Sequence, residues 1–291
     1  MQPDIQDQIL ELVRLAATDL PGDVEQKLRQ SRDQEEEGSA ARGAIDTILK
    51  NVELARQKST PICQDTGTPI FYVYYPEGWS TRKLRSQIQG AVVSATERSY
   101  LRPNSVHAVT GKNTGDNTGD EHYPTIHFKE VDGETLTIDL MLKGGGCENV
   151  STQYKLPDSK LGAARDLEGV RKVALDAVNK AQGKGCAPGT LGIAVGGDRA
   201  TSYSASKEAL FRKIGDQNPD PDLAELEKKI TDQGNQLGIG PMGFEGKTTV
   251  LDTKIKALHR LPASYFVSIS YMCWAYRRRR MTYQDGNTAY S

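Results

Sequence analysis

The chain has 291 residues, of which 37% are hydrophobic and 26% are charged. This composition can bury a core, which excludes general disorder, and the length fits one large domain or two small ones. The net charge of −1 gives no electrostatic reason to expect a nucleic acid or a membrane surface as partner. No apolar run reaches the roughly 20 residues of a membrane span, and the N-terminus has no signal-peptide pattern. We therefore expect a cytoplasmic globular protein.

The first sixty residues are predicted to be helical. Apolar residues keep helical spacing from Ile5 to Leu20, and the Pro-Gly pair at 21–22 ends that run. A second, more polar helix is predicted to run into the acidic patch Glu35 to Glu37, which we expect to be a solvated surface. A third helix has its apolar face from Ile45 to Ala55.

After this segment, strands and helices are predicted to intermix. The strand signals cover residues 71–75, 123–131, 134–142, 191–195, 247–258 and 264–273. The helix signals cover residues 80–100, 165–182, a stretch from about 202, and 220–237. Asp132 and Gly133 form a hairpin turn signal, so the second and third strands are expected to pair as a hairpin.

These elements predict an α+β (mixed α/β) fold, because helices come first and the later strands do not alternate strictly with helices. We expect one domain over residues 1–280, with a helical part at 1–58 and a polar tail at 281–291 that frays. The arginine run Arg277 to Arg280 favours a solvated or partner-facing patch. The alternative is a role in attracting an anion near a site.

The chain has four cysteines, Cys63, Cys147, Cys186 and Cys273, which are too sparse for a disulfide framework. They form no C-x-x-C pair, which argues against zinc ribbons and thioredoxin-like redox chemistry. Each lies in a segment rich in Gly, Pro or small polar residues, as ligands carried on loops do. Three converging thiolates suit a metal or an iron–sulfur cluster, and a cluster with three ligands leaves one iron open as a Lewis acid. By spacing alone, ordinary buried cysteines are the preferred alternative.

Five segments around these cysteines occur in order over residues 61–275. They are PICQDTGTPIF, NTGDNT, KGGGCEN, GKGCAPGTLGIAVGG and LPASYFVSISYMCWA. Together they resemble the iron–sulfur hydro-lyases of the class I fumarate hydratase and L-tartrate dehydratase family, and the chain resembles the alpha subunit. The resemblance implies a [4Fe-4S] cluster bound by Cys63, Cys186 and Cys273. Cys147 stands where much of the family has serine, so it is interpreted as a pocket residue or bystander and not as a ligand. If all four cysteines were close together in the structure, this interpretation would be overturned.

The resemblance also implies substrate contacts. Gln64 and Asp65 match a polar pair that grips a dicarboxylate, Arg102 matches an arginine that pairs with a carboxylate, and Gly146 matches a glycine whose backbone meets the substrate. The structural alternatives are that Asp65 caps the turn at 66–67 and that Arg102 closes a helix C-terminus.

The chain departs from the family pattern at two places. Leu261 stands where the family commonly has a histidine for proton handling, and His259 would share its face if this stretch were a strand. His259 is thus a candidate catalytic residue with Asp65, although a surface histidine is the preferred alternative. The C-terminal motifs of the single-chain enzymes do not follow Cys273, which implies a separate beta subunit and a hetero-oligomer of alpha–beta pairs.

The resemblance favours the alpha subunit of a two-subunit [4Fe-4S] fumarate hydratase, which interconverts fumarate and (S)-malate. The base would come from the beta subunit, with Asp65 assisting. L-tartrate dehydratase is the nearest alternative, and a non-catalytic cluster-binding member of the family is the alternative from another class. The expected partners are the beta subunit and a small dicarboxylate, with no nucleic acid and no membrane.

Overall fold

A computed structural model describes residues 2–291 and has, among them, eight α-helices and nine strands. The helices are Gln6–Thr18 (α1), Gly22–Gln34 (α2), Ala40–Lys58 (α3), Thr81–Glu97 (α4), Gly145–Val150 (α5), Leu167–Ala181 (α6), Arg199–Ala209 (α7) and Pro221–Gln236 (α8). The strands are Thr68–Pro76 (β1), Thr125–Val131 (β2), Leu136–Lys143 (β3), Thr152–Lys155 (β4), Gly189–Val195 (β5), Val250–Ala257 (β6), Phe266–Met272 (β7), Arg278–Gln284 (β8) and Asn287–Tyr290 (β9). The α+β prediction is confirmed.

The chain divides into two compact units. Unit 1 comprises the residues up to Pro21, residues 50–145 and residues 277–291, and unit 2 comprises residues 22–49 and 146–276. Each unit contains one β-sheet and a hydrophobic core of its own. The single domain expected over residues 1–280 stays a prediction.

Unit 1 is built around a five-stranded sheet with the order β2-β1-β3-β8-β9. Strand β1 is parallel to β2 and antiparallel to β3, and its aromatic and β-branched residues are mostly buried because it has neighbours on both sides. Helices α1 and α4 turn their apolar faces to this core, which they form together with Phe71, Leu140 and Met281.

Two predictions for unit 1 are wrong. The strands on either side of Asp132 and Gly133 do not pair as a hairpin, because β1 lies between them. Strand β2 is an edge strand, whereas β3 is buried and pairs with both β1 and β8. The tail at 281–291 does not fray, because β8 and β9 form an antiparallel pair at the other edge of the sheet.

Unit 2 contains a four-stranded sheet with the order β4-β7-β5-β6. Strand β5 is buried along its whole length, parallel to β6 and antiparallel to β7. Helices α6, α7 and α8 each begin at an aspartate, Asp166, Asp198 and Asp220, whose carboxylate accepts backbone N–H groups of the first turn. These caps fix where the three helices start beside the sheet.

The acidic patch is not entirely a solvated surface. Glu35 is buried, and its carboxylate accepts hydrogen bonds from the backbone N–H groups of Lys247 and Thr248 within unit 2. The prediction therefore fails for Glu35, because this side chain anchors a loop. No helix among residues 2–291 has the length and apolar character needed to cross a membrane.

Candidate active site

The segment CQDTG forms a tight loop before β1 in unit 1. Gly67 has a φ of +80°, and a Cβ at this position would lie 2.8 Å from the backbone of Lys143, so glycine is required. The carboxylate of Asp65 accepts the N–H of Gly67 at 3.0 Å with Oδ1 and the N–H of Gly145 at 2.8 Å with Oδ2. Asp65 thus caps the turn and also holds the glycine segment after β3.

Thr66 fixes the loop that carries Arg102. Its Oγ1 accepts the backbone N–H of Arg102 at 3.0 Å and the side-chain amide of Asn104 at 3.3 Å. Helix α4 ends at Glu97, and the guanidinium of Arg102 donates to the carbonyl of Gln64 at 3.3 Å. Arg102 therefore lies against the CQDTG loop, and its described contact is not with the end of a helix.

Asn117, in the segment NTGDNT, is a second anchor that the sequence analysis did not assign. Its side-chain oxygen accepts the N–H groups of Asn104 and Ser105 at 2.8 and 3.2 Å, and its amide donates to the carbonyl of Arg102 at 2.6 Å. The side chain is only 2% exposed, and its φ is +59°, a conformation that asparagine tolerates better than most residues. The signal available in the sequence was the Asn and Gly content of this turn.

These loops line an open cavity of about 620 Å³ within unit 1. Its lining includes Gln64, Asp65, Gly67, Thr68, Arg102, Asn104, Ser105, Val106, Tyr123 and Gly145. Burial raises the pKa of Tyr123, and the negative charge of Asp65 adds a smaller increase. The cavity therefore combines one guanidinium, one carboxylate, a neutral phenol and several amides, which is the set of groups that orients a small polar acid.

Three cysteines lie near one another in unit 2. The backbone N–H of Cys273 donates to the sulfur of Cys147 at 3.3 Å, and the N–H of Trp274 donates to the carbonyl of Cys186 at 3.3 Å. Burial raises the pKa of Tyr271, and negative charge on Cys273, Cys147 and Cys186 raises it further. Cys147 therefore supports the backbone at Cys273, which gives it a structural contact that the sequence analysis did not anticipate.

The chemical type of these side chains fits an iron–sulfur cluster, because thiolates are the usual ligands of such clusters. Cys186 has a left-handed backbone, and the two glycines before it are needed because a Cβ at Gly185 would lie 2.6 Å from the ring of Tyr271 and one at Gly183 would lie 2.9 Å from the carbonyl of Met242. Cys186 and Cys273 belong to unit 2, whereas Cys63 is a half-buried residue of unit 1. No group of three or more His, Cys, Asp or Glu side chains arranged for a metal ion is found in residues 2–291. The ligand set Cys63, Cys186 and Cys273 stays a prediction.

The other predicted site residues lie in unit 2. A Cβ on Gly146 would meet only the carbonyl of Lys184, at 3.6 Å, so its backbone is uncrowded. Strand β6 ends at Ala257, so His259 and Leu261 do not share a strand face. Both are exposed, Leu261 to 74%, and the carbonyl of His259 accepts the N–H of Gly197. A catalytic role for His259 stays a prediction.

The arginine run is not a solvated patch. Arg277 and Arg278 are buried, while Arg279 pairs with Asp19 and Arg280 pairs with Asp139, each at 2.6 Å. The prediction fails because the run enters β8, where Arg278 is buried and exposure increases towards Arg280. Because these four consecutive residues are all charged, a search for alternating apolar residues did not identify the strand.

Comparisons with known proteins fit this arrangement. A provisionally named class I fumarate hydratase of Geobacillus stearothermophilus is 44% identical over 271 residues, which are 92% of this chain and 52% of that protein. A provisionally named L(+)-tartrate dehydratase alpha subunit of Methanocaldococcus jannaschii is 35% identical over 278 residues, 94% of this chain and 95% of that protein. The L(+)-tartrate dehydratase alpha subunit of Escherichia coli K12 is 32% identical over 266 residues, 91% of this chain and 86% of that protein.

By name, these relatives are hydro-lyases. The chain belongs to the fumarate hydratase (Fumerase) family, whose sequence profile matches residues 6–282. It spans about half the length of the relative named as a class I fumarate hydratase and most of the length of the two alpha subunits.

Proposed function

We propose that the chain is the alpha subunit of a two-subunit fumarate hydratase that interconverts fumarate and (S)-malate. The observation that carries this proposal is the cavity of unit 1, which presents Arg102, Asp65 and Gln64 together. A guanidinium recognises a carboxylate through paired, charge-assisted hydrogen bonds. The family match supports a hydro-lyase reaction on the acid that binds there.

The chain's own residues would orient the substrate. Arg102 binds one carboxylate, and the side-chain amide of Gln64 adds a neutral hydrogen bond. Both oxygens of Asp65 accept backbone N–H groups, so the carboxylate has a fixed orientation and keeps lone pairs for a substrate hydroxyl or a proton. Neutralisation of the substrate carboxylates assists loss of the C3 proton, because negative charge accumulates on the adjacent carboxylate.

We infer that Cys63, Cys186 and Cys273 hold a [4Fe-4S] cluster. When bound, such a cluster supplies a Lewis-acidic iron that polarises the carbon–oxygen bond of a hydroxy acid. The close approach of the Cys186 and Cys273 segments supports two of these ligands. Cys147 is assigned to holding the backbone of Cys273 through its sulfur and not to ligation.

A beta subunit would complete the enzyme. The chain aligns with nearly the whole of two relatives named as alpha subunits, which supports this arrangement. We infer that the beta subunit supplies the principal base, with Asp65 assisting. His259 is a candidate for proton transfer, and its exposed position leaves it accessible to a second chain.

The ligand assignment is tested by iron and acid-labile sulfide analysis of the anaerobically purified chain. About four irons per chain are expected in the wild type and in Cys147→Ser, and fewer in Cys63→Ser, Cys186→Ser and Cys273→Ser. A visible absorption spectrum of each variant gives a second readout. Iron that is absent after anaerobic reconstitution, or lost only in Cys147→Ser, would contradict the assignment.

L-tartrate dehydratase is the second candidate, because the two alpha-subunit relatives carry that name. The substrates differ by one hydroxyl group, and a site that hydrogen-bonds this group can reject the analogue without it. The comparison of kcat/KM for (S)-malate and L-tartrate on the assembled enzyme decides between them. We expect the higher value for (S)-malate, and a higher value for tartrate would replace the first candidate with the second.

A further inference from the structure

The side chain of Arg277 is buried in unit 1 without the anion that a guanidinium requires. It is only 1% exposed, and its Nε and Nη1 atoms have no hydrogen-bond partner among residues 2–291. By contrast, Arg279 and Arg280 pair with Asp19 and Asp139. A guanidinium that is buried without a partner is strongly unfavourable, so this geometry indicates an anion from outside the described chain.

The backbone at Gly144 indicates where that anion would lie. A Cβ at Gly144 would be 3.8 Å from Arg277 Nη2 and 2.9 Å from Asp65 Oδ2. Gly144 is itself buried, and because it has no side chain, the guanidinium of Arg277 and the carboxylate of Asp65 both approach its backbone. Gly145, the next residue, contributes to the lining of the cavity that contains Arg102. All of these residues belong to unit 1.

A donor beside an acceptor matches one end of a 2-hydroxy acid. The carboxylate of such an acid accepts hydrogen bonds from a guanidinium, and its hydroxyl donates one to a carboxylate. A simple carboxylate would pair with the guanidinium, but it would place its charge near Asp65 without a hydroxyl to donate to that carboxylate. The pair Arg277 and Asp65 thus favours a ligand that carries both groups on adjacent carbons.

We propose that Arg277 is a further substrate-binding residue, which binds the carboxylate of a 2-hydroxy acid while Asp65 accepts its hydroxyl hydrogen bond. This assignment rests on the proposed function for the substrate class and extends it to a residue outside the CQDTG loop. Arg102 remains available for the second carboxylate of a dicarboxylate. The structural alternative is that Arg277 only supports the start of β8.

Binding of (S)-malate and succinate to the full chain, measured anaerobically by titration calorimetry, tests the proposal without turnover. Wild type is expected to bind (S)-malate more tightly than succinate, which lacks the hydroxyl. Arg277→Gln should weaken (S)-malate binding roughly ten- to a hundredfold, because a charge-assisted hydrogen bond is lost. Arg277→Lys should weaken it less, because it keeps the charge but not the planar fork. The matched control is Arg82→Gln, an exposed arginine on α4 of the same unit, which should bind as wild type does.

Gly144→Ala keeps the guanidinium but places a Cβ 2.9 Å from Asp65 Oδ2, so the carboxylate must shift, and the variant tests the site without changing Arg277. It should weaken (S)-malate binding with an unchanged far-ultraviolet circular dichroism spectrum. Wild-type affinity in a folded Arg277→Gln chain, or no binding of (S)-malate by wild type, would overturn the proposal. A separate hydration assay of the assembled enzyme tests the proposed function. If (S)-malate binds in a way that depends on Arg277 but the assembled enzyme does not hydrate fumarate, the proposed function is wrong and the binding site stands.

Discussion

The two units bury their cations in opposite ways. In unit 2, the ammonium of Lys254 is 1% exposed and contacts the carboxylates of Asp216 at 2.5 Å and Asp252 at 2.8 Å. In unit 1, Arg277 is equally buried, and two of its nitrogens have no partner within residues 2–291. Two side chains of the same charge and burial therefore differ in whether the chain itself supplies the counter-charge.

This difference separates a structural cation from one that is available to a ligand. A paired buried cation contributes to the folded state as long as its acids remain in place. An unpaired one lowers stability and is retained where binding requires it, since strain at binding sites is offset elsewhere in the fold. The comparison predicts opposite effects on stability when each cation is replaced by an apolar residue of similar length.

The largest effect is expected for Lys254→Met. Its removal leaves Asp216 and Asp252 close together without their shared cation, so the free energy of unfolding should fall by about 3 kcal/mol. Urea unfolding in a Trp79→Phe background, where Trp274 of unit 2 is the one remaining tryptophan and its fluorescence is followed, measures this change. The control is Lys228→Met, an exposed pair with Asp232 on α8, which should change stability by less than about 0.5 kcal/mol. Equal effects of the two variants would show that the buried pairing is not structural.

A smaller loss is expected for Asn117→Ala in unit 1. This change removes an amide that accepts two backbone N–H groups and donates to the carbonyl of Arg102, which leaves buried groups unsatisfied. We expect the unfolding free energy to fall by about 2 kcal/mol. Binding of (S)-malate should also weaken, because Arg102 loses its support. Asn113→Ala is the milder comparison, because it removes two exposed hydrogen bonds of the same segment, one to the carbonyl of Pro103 and one from the N–H of Gly115. Unchanged malate affinity in Asn117→Ala would separate this anchor from the site.

For Arg277→Met, the change in unfolding free energy should have the opposite sign. Replacement of an unpaired buried guanidinium by an apolar side chain should raise the unfolding free energy of the ligand-free chain by about 1 kcal/mol, while ligand binding is lost. Thermal unfolding with and without (S)-malate measures both quantities, and the ligand-dependent rise in Tm should disappear. A fall in stability comparable with that of Lys254→Met would mean that Arg277 is a structural cation as well.

Much of the fold could be predicted from local patterns, but the strand neighbours could not. The helical periodicity at 5–20 and 167–181 located α1 and α6, because one apolar face suffices to identify a surface helix. The turn signal at 132–133 was real, yet β1 lies between the two strands it joins. Strand order depends on packing between distant segments, and neither turn residues nor alternation encode it.

The candidate site was predictable where loops carry unusual residue combinations. The resemblance singled out the CQDTG segment and Arg102 as substrate contacts, which stays a prediction; their contact with each other, through Thr66 and Gln64, is a finding of the structure. The burial of Arg277 could not be predicted, since a run of arginines in sequence does not show which of them is buried. The burial of Glu35 within its run of acidic residues could not be predicted for the same reason. Burial of one charge among several is decided by tertiary contacts alone.

The smallest expected effect is a pH dependence of stability, and it concerns the paired cation site of unit 2. Partial burial on its own raises the pKa of Asp216, but hydrogen bonds from Arg212 and Lys254 outweigh it and lower the pKa below its ordinary value. Because the folded-state pKa is the lower one, this stabilisation is present above the unfolded value of about 3.9 and is lost as pH falls through the folded-state pKa.

The difference in unfolding free energy between wild type and Asp216→Asn should therefore be constant from pH 7 to 5 and should narrow below about pH 4. Urea unfolding at pH 7, 5 and 3 measures it, with Gln217→Ala, an exposed neighbour that does not titrate, as the control. A difference that persists unchanged at pH 3 would mean that ionised Asp216 adds nothing to unit 2. The contrast with Arg277 would then rest on Asp252 alone, since it is the other acid that contacts Lys254.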